Sequence, residues 1–410
     1  MLIETDVCVV GGGPAGLTLA LLLARSGVRV AVLERSPSLR REYRGEILQP
    51  AGMALLDGLG VLSGARERGS REHTGFQLIE RGRVLIDADY RRLPGPFNCL
   101  LALPQANLLA ELLEHCQRYD GFEYLAGYKV NDLVQDGGRV RGAVAAGPRG
   151  TVQIQARWLV GADGRYSAVR RLAGMESGRR DVFKQDVIWF KLPAVGEPLR
   201  EVQVFRAGGS PLLSYATPDG DVQLGWTLPH QSYQGLAAQG IDRVKELIGR
   251  AAPQYADRVE ARITGLKDLS LLDVFAGGAH AWVRPGLVLI GDSAHTHSPI
   301  GAQGINLAVQ DAVALHPALV GAVRDGGDGD AALIRFADLR RRDIGRVDRI
   351  QRIQSGAMLS TGRVSSVLRP RAAGLVSRTP VYRYVLNQIA FGNTSIKVAE
   401  EWFEAVQDRA

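Results

Sequence analysis

The sequence predicts an α/β protein: a Rossmann-type dinucleotide-binding domain, a mixed β-sheet domain inserted into it, and a C-terminal helical region. Three observations carry that expectation. Residues 6–34 read as strand, glycine-rich turn, helix, strand. Residues 180–280 change to short, aromatic-bearing, partly alternating segments separated by Pro, Gly and Asp. From Gly286 a buried-strand pattern returns and runs into an apolar helix. At 410 residues, with 46% hydrophobic and 23% charged side chains, the chain is long enough for two or three domains and is globular in composition.

The elements follow in order. DVCVV, ending at Val10, is an apolar run; GGGPAG is the turn; LTLALLLARS is a helix with Gly27 at its C-cap; VRVAVLE, ending at Glu34, is the second strand. This order implies a parallel pair joined by a right-handed crossover. Residues 106–119 show helical spacing, and 124–133 and 140–145 read as strands around a QDGG turn. A short strand at 156–160 leads into GADGRYSAVR. DVIWFKLP, EVQVFRA, LLSYAT and DVQLGWTLP are the strands of the inserted sheet. GLVLIGD is a buried strand, and a helix covers about 305–319. Beyond it, Ile344, Val347 and Ile350 form one helical stripe in an Arg-rich segment. Residues 1–75, 101–179 and 281–330 are thus assigned to the nucleotide-binding domain, 76–100 and 180–280 to the inserted domain, and 331–410 to the helical region.

Composition excludes several classes. Cys8, Cys99 and Cys116 form no CxxC pair and cannot staple a secreted scaffold, which points to a reducing compartment. The net charge of +7 comes from arginine, since only six lysines occur and the first is Lys129. With acidic residues interspersed and no zinc-finger or RNP-type motif, nucleic acid is not an expected partner. The apolar stretch from Val7 to Leu33 lacks a basic leader and is broken by glycines and Arg25, so a cytoplasmic protein without an integral membrane segment is expected.

Gly11-x-Gly13-x-x-Gly16, with Ala15 inside the turn, follows a strand and opens a helix, and Glu34 ends the next strand. The glycines allow close backbone approach, the helix N-terminus faces a pyrophosphate, and Glu34 accepts from a ribose hydroxyl. The fingerprint alone does not separate NAD from FAD. Two distant segments do: Gly161-Ala-Asp163-Gly164-Arg165 through Arg170, and Gly291-Asp292-Ser293-Ala294-His295 through Pro299 to Gly304-Ile305-Asn306.

Together with the fingerprint, these segments resemble the three signatures of the para-hydroxybenzoate hydroxylase-like, group A FAD-dependent aromatic monooxygenases. The resemblance implies bound FAD, transient NADPH or NADH, and hydroxylation or epoxidation of an aromatic or other electron-rich small molecule by dioxygen through a flavin C4a-hydroperoxide. It implies cofactor contacts from Gly11, Gly13, Ala15, Gly16, Glu34, Arg35 and Val130. Arg44 is implied beside the flavin, Gln105 at the start of a helix, Asp163 and Arg170 from the middle motif, and Asp292 on the ribitol. Gly301, Gly304, Ile305 and Asn306 would bring a helix N-terminus to the flavin pyrimidine edge. Arg44 and Pro299 take catalytic positions, Pro299 on the face where dioxygen adds.

Trp189, Phe190, Phe205, Tyr215 and Trp226 lie on the strands expected to roof a substrate pocket. No residue is assignable as a base for a phenol. His295 and His297 stand two apart, but no third ligand at a recognisable spacing supports a metal, and no GxSxG or HExxH anchors hydrolase chemistry. A second dinucleotide fingerprint, common in flavin reductases, is missing. Halogenation is disfavoured because no lysine precedes Lys129 and neither WFKLP nor GWTLP carries paired tryptophans. Two alternatives stay open: an FAD-dependent reductase of a prenyl or other unsaturated substrate, and a non-catalytic nucleotide-binding protein. For the first, the Arg-rich segment from Arg340 to Arg378 would serve as a membrane-facing surface; a solvated helical face packed on the first domain is the preferred reading. Oligomeric state has no signal in the sequence.

Overall fold

The computed structural model describes residues 1–39, 46–175, 177–180, 185–206, 210–325, 329–359 and 379–404. Val7, Cys8 and Val9 in the strand Leu2–Val10 are fully shielded, as a central strand of a sheet covered on both faces must be. This strand pairs in parallel with Val30–Glu34 on one side and with Gly150–Gly161 on the other. Phe122–Ala126 and Leu287–Leu289 extend the parallel sheet outward on the two sides. The helix Pro14–Arg25 is buried along its whole length from Ala15 to Ala24, as its lack of a polar stripe requires. It packs against the helices Gln105–Cys116 and Gly304–Arg324. Gly304–Arg324 is apolar and long enough to cross a membrane, and it lies here mostly buried in the core.

The second sheet has the strand order Ser270–Leu272, Gln185–Pro193, Asp221–Pro229, Leu212–Ala216, Glu201–Arg206, Gly75–Glu80, Arg83–Asp89. Glu201–Arg206 runs parallel to Gly75–Glu80 and the other pairings are antiparallel, giving the mixed sheet that the sequence predicts.

Two details differ from expectation. The single strand read at 124–133 is two, Phe122–Ala126 and Lys129–Asp136, because the chain there leaves the parallel edge to start an antiparallel hairpin with Arg139–Gly147. Residues 241–262, read as part of a sheet region, form the helices Ile241–Ala251 and Ala256–Arg262. Val244, Ile248, Ala251 and Val259 recur at helical spacing and cover the outer face of the second sheet.

The C-terminal region is helical, as predicted. Asp330–Leu359 packs along Gly304–Arg324, with Ile344 buried against the core and Val347 beside it. Arg340 is not part of a solvated face: it is fully buried, paired with Asp311 and Asp343. Arg378 lies outside the described residues.

Candidate active site

Strand register brings the three motifs together. Val10 is opposite both Leu33 and Gly161, and Gly161 is opposite Leu289, so the loops that follow these strands leave one edge of the parallel sheet. That carboxyl edge is where open α/β sheets bind ligands. A cavity of about 520 Å³ runs from it to the inner face of the second sheet.

At the sheet edge, helix Pro14–Arg25 begins at Gly13 with no side-chain cap and no acidic residue in its first turn, leaving its leading amides for an external anion. Gly11 has φ +110°, and a Cβ there would stand 2.3 Å from the Ala162 carbonyl oxygen. Gly11, Gly13 and Ala15 line the cavity. Gly16 sits behind them: a Cβ on it would meet the Gly11 carbonyl oxygen at 1.9 Å, so its role is to let helix and strand close up. Glu34 is almost fully buried and accepts the amides of Gly12 and Ser36, each at 2.8 Å. Arg35, Lys129 and Val130 continue this wall.

The middle motif divides its labour. Asp163 lines the cavity, yet its carboxylate accepts from Ser167 Oγ at 2.5 Å and from the amides of Ala168 and Val169 at 2.6 and 3.0 Å, capping the helix Ala168–Leu172. Burial raises its pKa against those hydrogen bonds. Arg170 does not line the cavity. Its guanidinium donates to the carbonyls of Ser293 and Arg165, clamping the second motif to the third. The arginine of this motif that reaches the cavity is Arg165, which pairs with Asp292 at 3.4 Å and donates to the Asp273 carbonyl.

Asp292 follows the strand Leu287–Leu289 and lines the cavity. The loop through Pro299 and Gly301 then feeds helix Gly304–Arg324, whose N-terminus has no side-chain cap. A Cβ on Gly304 would meet nothing within 4 Å, so this second helix end also opens into the cavity, with Ile305 beside it. Asn306 is behind the loop instead: it accepts the Gln49 amide at 2.9 Å and donates to the Ala302 carbonyl at 2.7 Å. Gln49 donates to the Gly301 carbonyl and accepts from the Tyr90 hydroxyl. Gln105 lines the cavity from the start of its helix. Arg44 lies outside the described residues.

These features suit a flavin dinucleotide. Two uncapped helix N-termini face one cavity, one at a glycine turn tight enough for a pyrophosphate and the other at the far end, where an electron-rich ring gains from the helix field. Glu34 is held by backbone amides at the strand end where a ribose would lie.

The remaining half of the cavity is a slot between the second sheet and the loop Pro299–Ala302, closed by Tyr382, Leu386 and Ile389 of the helix Pro380–Phe391. Val187, Trp189, Val204, Leu213 and Tyr215 supply the sheet side. Phe190, Phe205 and Trp226 do not. They point to the other face, against the helices 241–262. Side chains alternate along a strand, so Trp189 faces in where Phe190 faces out, and Gly225 faces in where Trp226 faces out. The Tyr215 hydroxyl bonds to the Glu46 backbone, and burial holds its pKa well above 10, so the phenol stays neutral. The Trp189 indole N–H has no acceptor among the described residues. No Asp, Glu, Lys or Arg among them lines this half of the cavity.

Arg165, Gln49, Tyr90, His297 and the Pro380–Phe391 helix were not anticipated. Arg165 lay within a quoted motif and His297 was noted only for its spacing from His295; the others reach the cavity only through the tertiary fold.

Residues 4–347 match the model of the FAD binding domain family. The chain is 59% identical over 401 residues to a 6-methylpretetramide 4-monooxygenase of Streptomyces rimosus, covering 98% of this chain and 96% of that one. Among solved structures, p-nitrophenol 4-monooxygenase from Pseudomonas putida superposes with a TM-score of 0.82 at 22% identity, covering 96% of this chain and 99% of that one. The myxobacterial chondrochloren halogenase gives 0.78 at 18% identity, covering 97% and 100%. These two structures share the fold.

Proposed function

The chain belongs to the FAD binding domain family and is an FAD-dependent monooxygenase; from that premise we propose that it hydroxylates a polycyclic aromatic polyketide of the 6-methylpretetramide type, with NADPH or NADH as reductant. The observation that carries the choice of substrate is that no Asp, Glu, Lys or Arg among the described residues lines the slot between Trp189 and Tyr215 on one side and Pro299 to Ala302 on the other. A flat, neutral, multi-ring molecule fills such a slot without leaving a buried charge unpaired. The similarity to a 6-methylpretetramide 4-monooxygenase points the same way.

When bound, FAD supplies the electrons taken from NAD(P)H and the site of dioxygen activation. Gly11, Gly13 and Ala15 hold its pyrophosphate, Glu34 and Arg35 its adenosine end, and Asp292 with Gly301 to Ile305 its ring end. Trp189 and Tyr215 pack on one face of the substrate and fix which ring edge faces Pro299. The apolar walls and the Pro380–Phe391 helix exclude water from the reacting carbon.

The test supplies 6-methylpretetramide to the purified protein with FAD, NAD(P)H and labelled dioxygen. Substrate-stimulated NAD(P)H oxidation and a product carrying one labelled oxygen are expected. Oxygen uptake that yields only hydrogen peroxide refutes this substrate. A saturated product made without oxygen would favour a reductase, and protein that takes up no FAD a non-catalytic role.

A further inference from the structure

Behind the loop 298–303 lies a chain of ionisable groups that the proposed reaction does not use. His297 Nδ1 is 3.0 Å from Asp348 Oδ1, His297 Nε2 is 2.7 Å from His295 Nδ1, and His295 Nε2 is 2.6 Å from Asp311 Oδ2. Asp311 also accepts the Gly291 amide and Arg340 Nε. Arg340 reaches Asp343, which takes further bonds from Arg346 and Asn393. The Trp282 ring lies against His295 at 5.0 Å between centroids, tilted by 33°, and the Arg341 guanidinium lies 5.5 Å from the Trp282 ring centre. His297 lines the cavity wall next to Ser298 and Pro299.

Proton counting decides the state of this chain. An ionised carboxylate only accepts, so Asp311 requires a proton on His295 Nε2 and Asp348 requires one on His297 Nδ1. Two neutral imidazoles have then spent their protons, and a 2.7 Å approach of the two remaining nitrogens would set lone pair against lone pair. A third proton between them removes the conflict. Charge counting agrees. Asp311, Asp343 and Arg340 are all buried and together sum to −1; one positive charge on the pair brings the buried set to zero, which a low-dielectric interior favours. Burial alone would push the Asp311 pKa up, yet His295 and Arg340 hold it far below the usual carboxylate range.

We infer that His295 and His297 share one extra proton, so that the pair carries a single positive charge behind the loop 298–303 and serves as counter-charge to an electron-rich ring docked against that loop. The second clause rests on FAD occupying the cavity, and neither clause depends on the substrate proposed above. Together with the helix N-terminus at Gly304, the charge favours the reduced, anionic form of the ring over the oxidised one.

The test uses the FAD-loaded protein with 15N-labelled histidine and no substrate. At pH 8, well above the ordinary histidine pKa of about 6.5, nitrogen and proton spectra are expected to show two of the seven histidines holding three protons between them, one in a strongly deshielded N–H···N bridge. Two neutral rings, or a protonated Asp348 carboxyl, would overturn the assignment. Asp348→Asn removes one anchoring carboxylate and should shift loss of the bridging proton to lower pH; an unshifted transition counts against the chain as drawn. His297→Gln keeps a donor toward His295 but no charge. It should weaken binding of reduced relative to oxidised FAD about tenfold, read as a midpoint potential lower by about 30 mV for the two-electron couple. An unchanged potential in a variant whose spectra have lost the bridge would overturn the counter-charge role.

Discussion

Gly225 faces the cavity opposite Trp189 across the ladder, and the indole lies flat over it. A Cβ built at Gly225 would stand 2.8, 3.0 and 3.1 Å from Cζ3, Cη2 and Cε3 of that ring. Carbon pairs settle at about 3.5–4.0 Å, so Gly225→Ala must push the ring by roughly half an ångström or more, away from the sheet and toward the slot that both residues line. Overpacking of this kind costs about 1–3 kcal/mol, seen as a lower urea midpoint. The displaced ring also narrows the slot. If half of that cost recurs on binding, about 0.5–1.5 kcal/mol corresponds to a roughly two- to tenfold rise in KM for the polycyclic substrate, while the FAD dissociation constant stays put because Gly225 touches none of the nucleotide wall. The assay pairs urea melts with substrate-stimulated NAD(P)H oxidation. Trp189→Phe, lacking the outer ring atoms that clash, should lessen the effect when combined with Gly225→Ala, a coupling that a double-mutant cycle reads directly. A variant with native melt and native KM, or a combined variant with strictly additive losses, would refute the placement of Trp189 in the slot.

Other outcomes follow from the same geometry. Gly11→Ala places a methyl into the Ala162 carbonyl and forces an L-residue to φ +110°, so the protein should purify largely without flavin, measured by the ratio of visible to ultraviolet absorbance; full flavin content would move the nucleotide elsewhere. Asp292→Ala should weaken FAD retention by more than it lowers the melting midpoint, and an unchanged dissociation constant in equilibrium dialysis would count against that contact. Phe190→Ala, one residue from Trp189 on the opposite face, should cost about 3–5 kcal/mol of stability and leave KM within twofold in the folded fraction; a large KM change instead would reverse the assigned faces. Burial holds the pKa values of His73 and His316 down to about 4. Each ring therefore binds its proton more readily unfolded than folded, so its contribution to stability is full above about pH 6.5 and declines as pH falls toward 4. Wild type should lose urea resistance over that window more steeply than His316→Gln, and parallel pH profiles would contradict the burial effect.

How much of this was legible in the chain depends on whether the signal was local. The turn at Gly11, the carboxylate of Glu34 and the strand ends before Ala162 and Gly291 are local, because a parallel strand running into a glycine loop has a short, regular signature. Their convergence follows from parallel pairing alone, since strands in register end at one edge. Side-chain direction was less legible. Trp226 and Trp189 look alike as aromatic residues in alternating strands, and only the contacts of the neighbouring helices reveal which face is the pocket. Arg170 and Asn306 read as ligand contacts, yet both spend their hydrogen bonds holding loops in place. Residue type signalled that the position mattered, and the fold decided for what.

The histidines make the same point from the opposite side. Their spacing at 295 and 297 first raises a metal question, and sequence reasoning sets it aside for want of a third ligand. In the structure the two imidazoles contact each other and the carboxylates of Asp311 and Asp348. Asp311 comes from the helix that also presents Gly304 to the cavity, and Arg340 and Asp348 come from the helix Asp330–Leu359 packed along it. A helix that ends a ligand site at its N-terminus thus carries, two turns further on, the carboxylate that fixes the charge behind the same loop. Loop position and local field are consequently set by one packed unit, so a change at Asp311 should disturb both at once, whereas a change at His297 separates them.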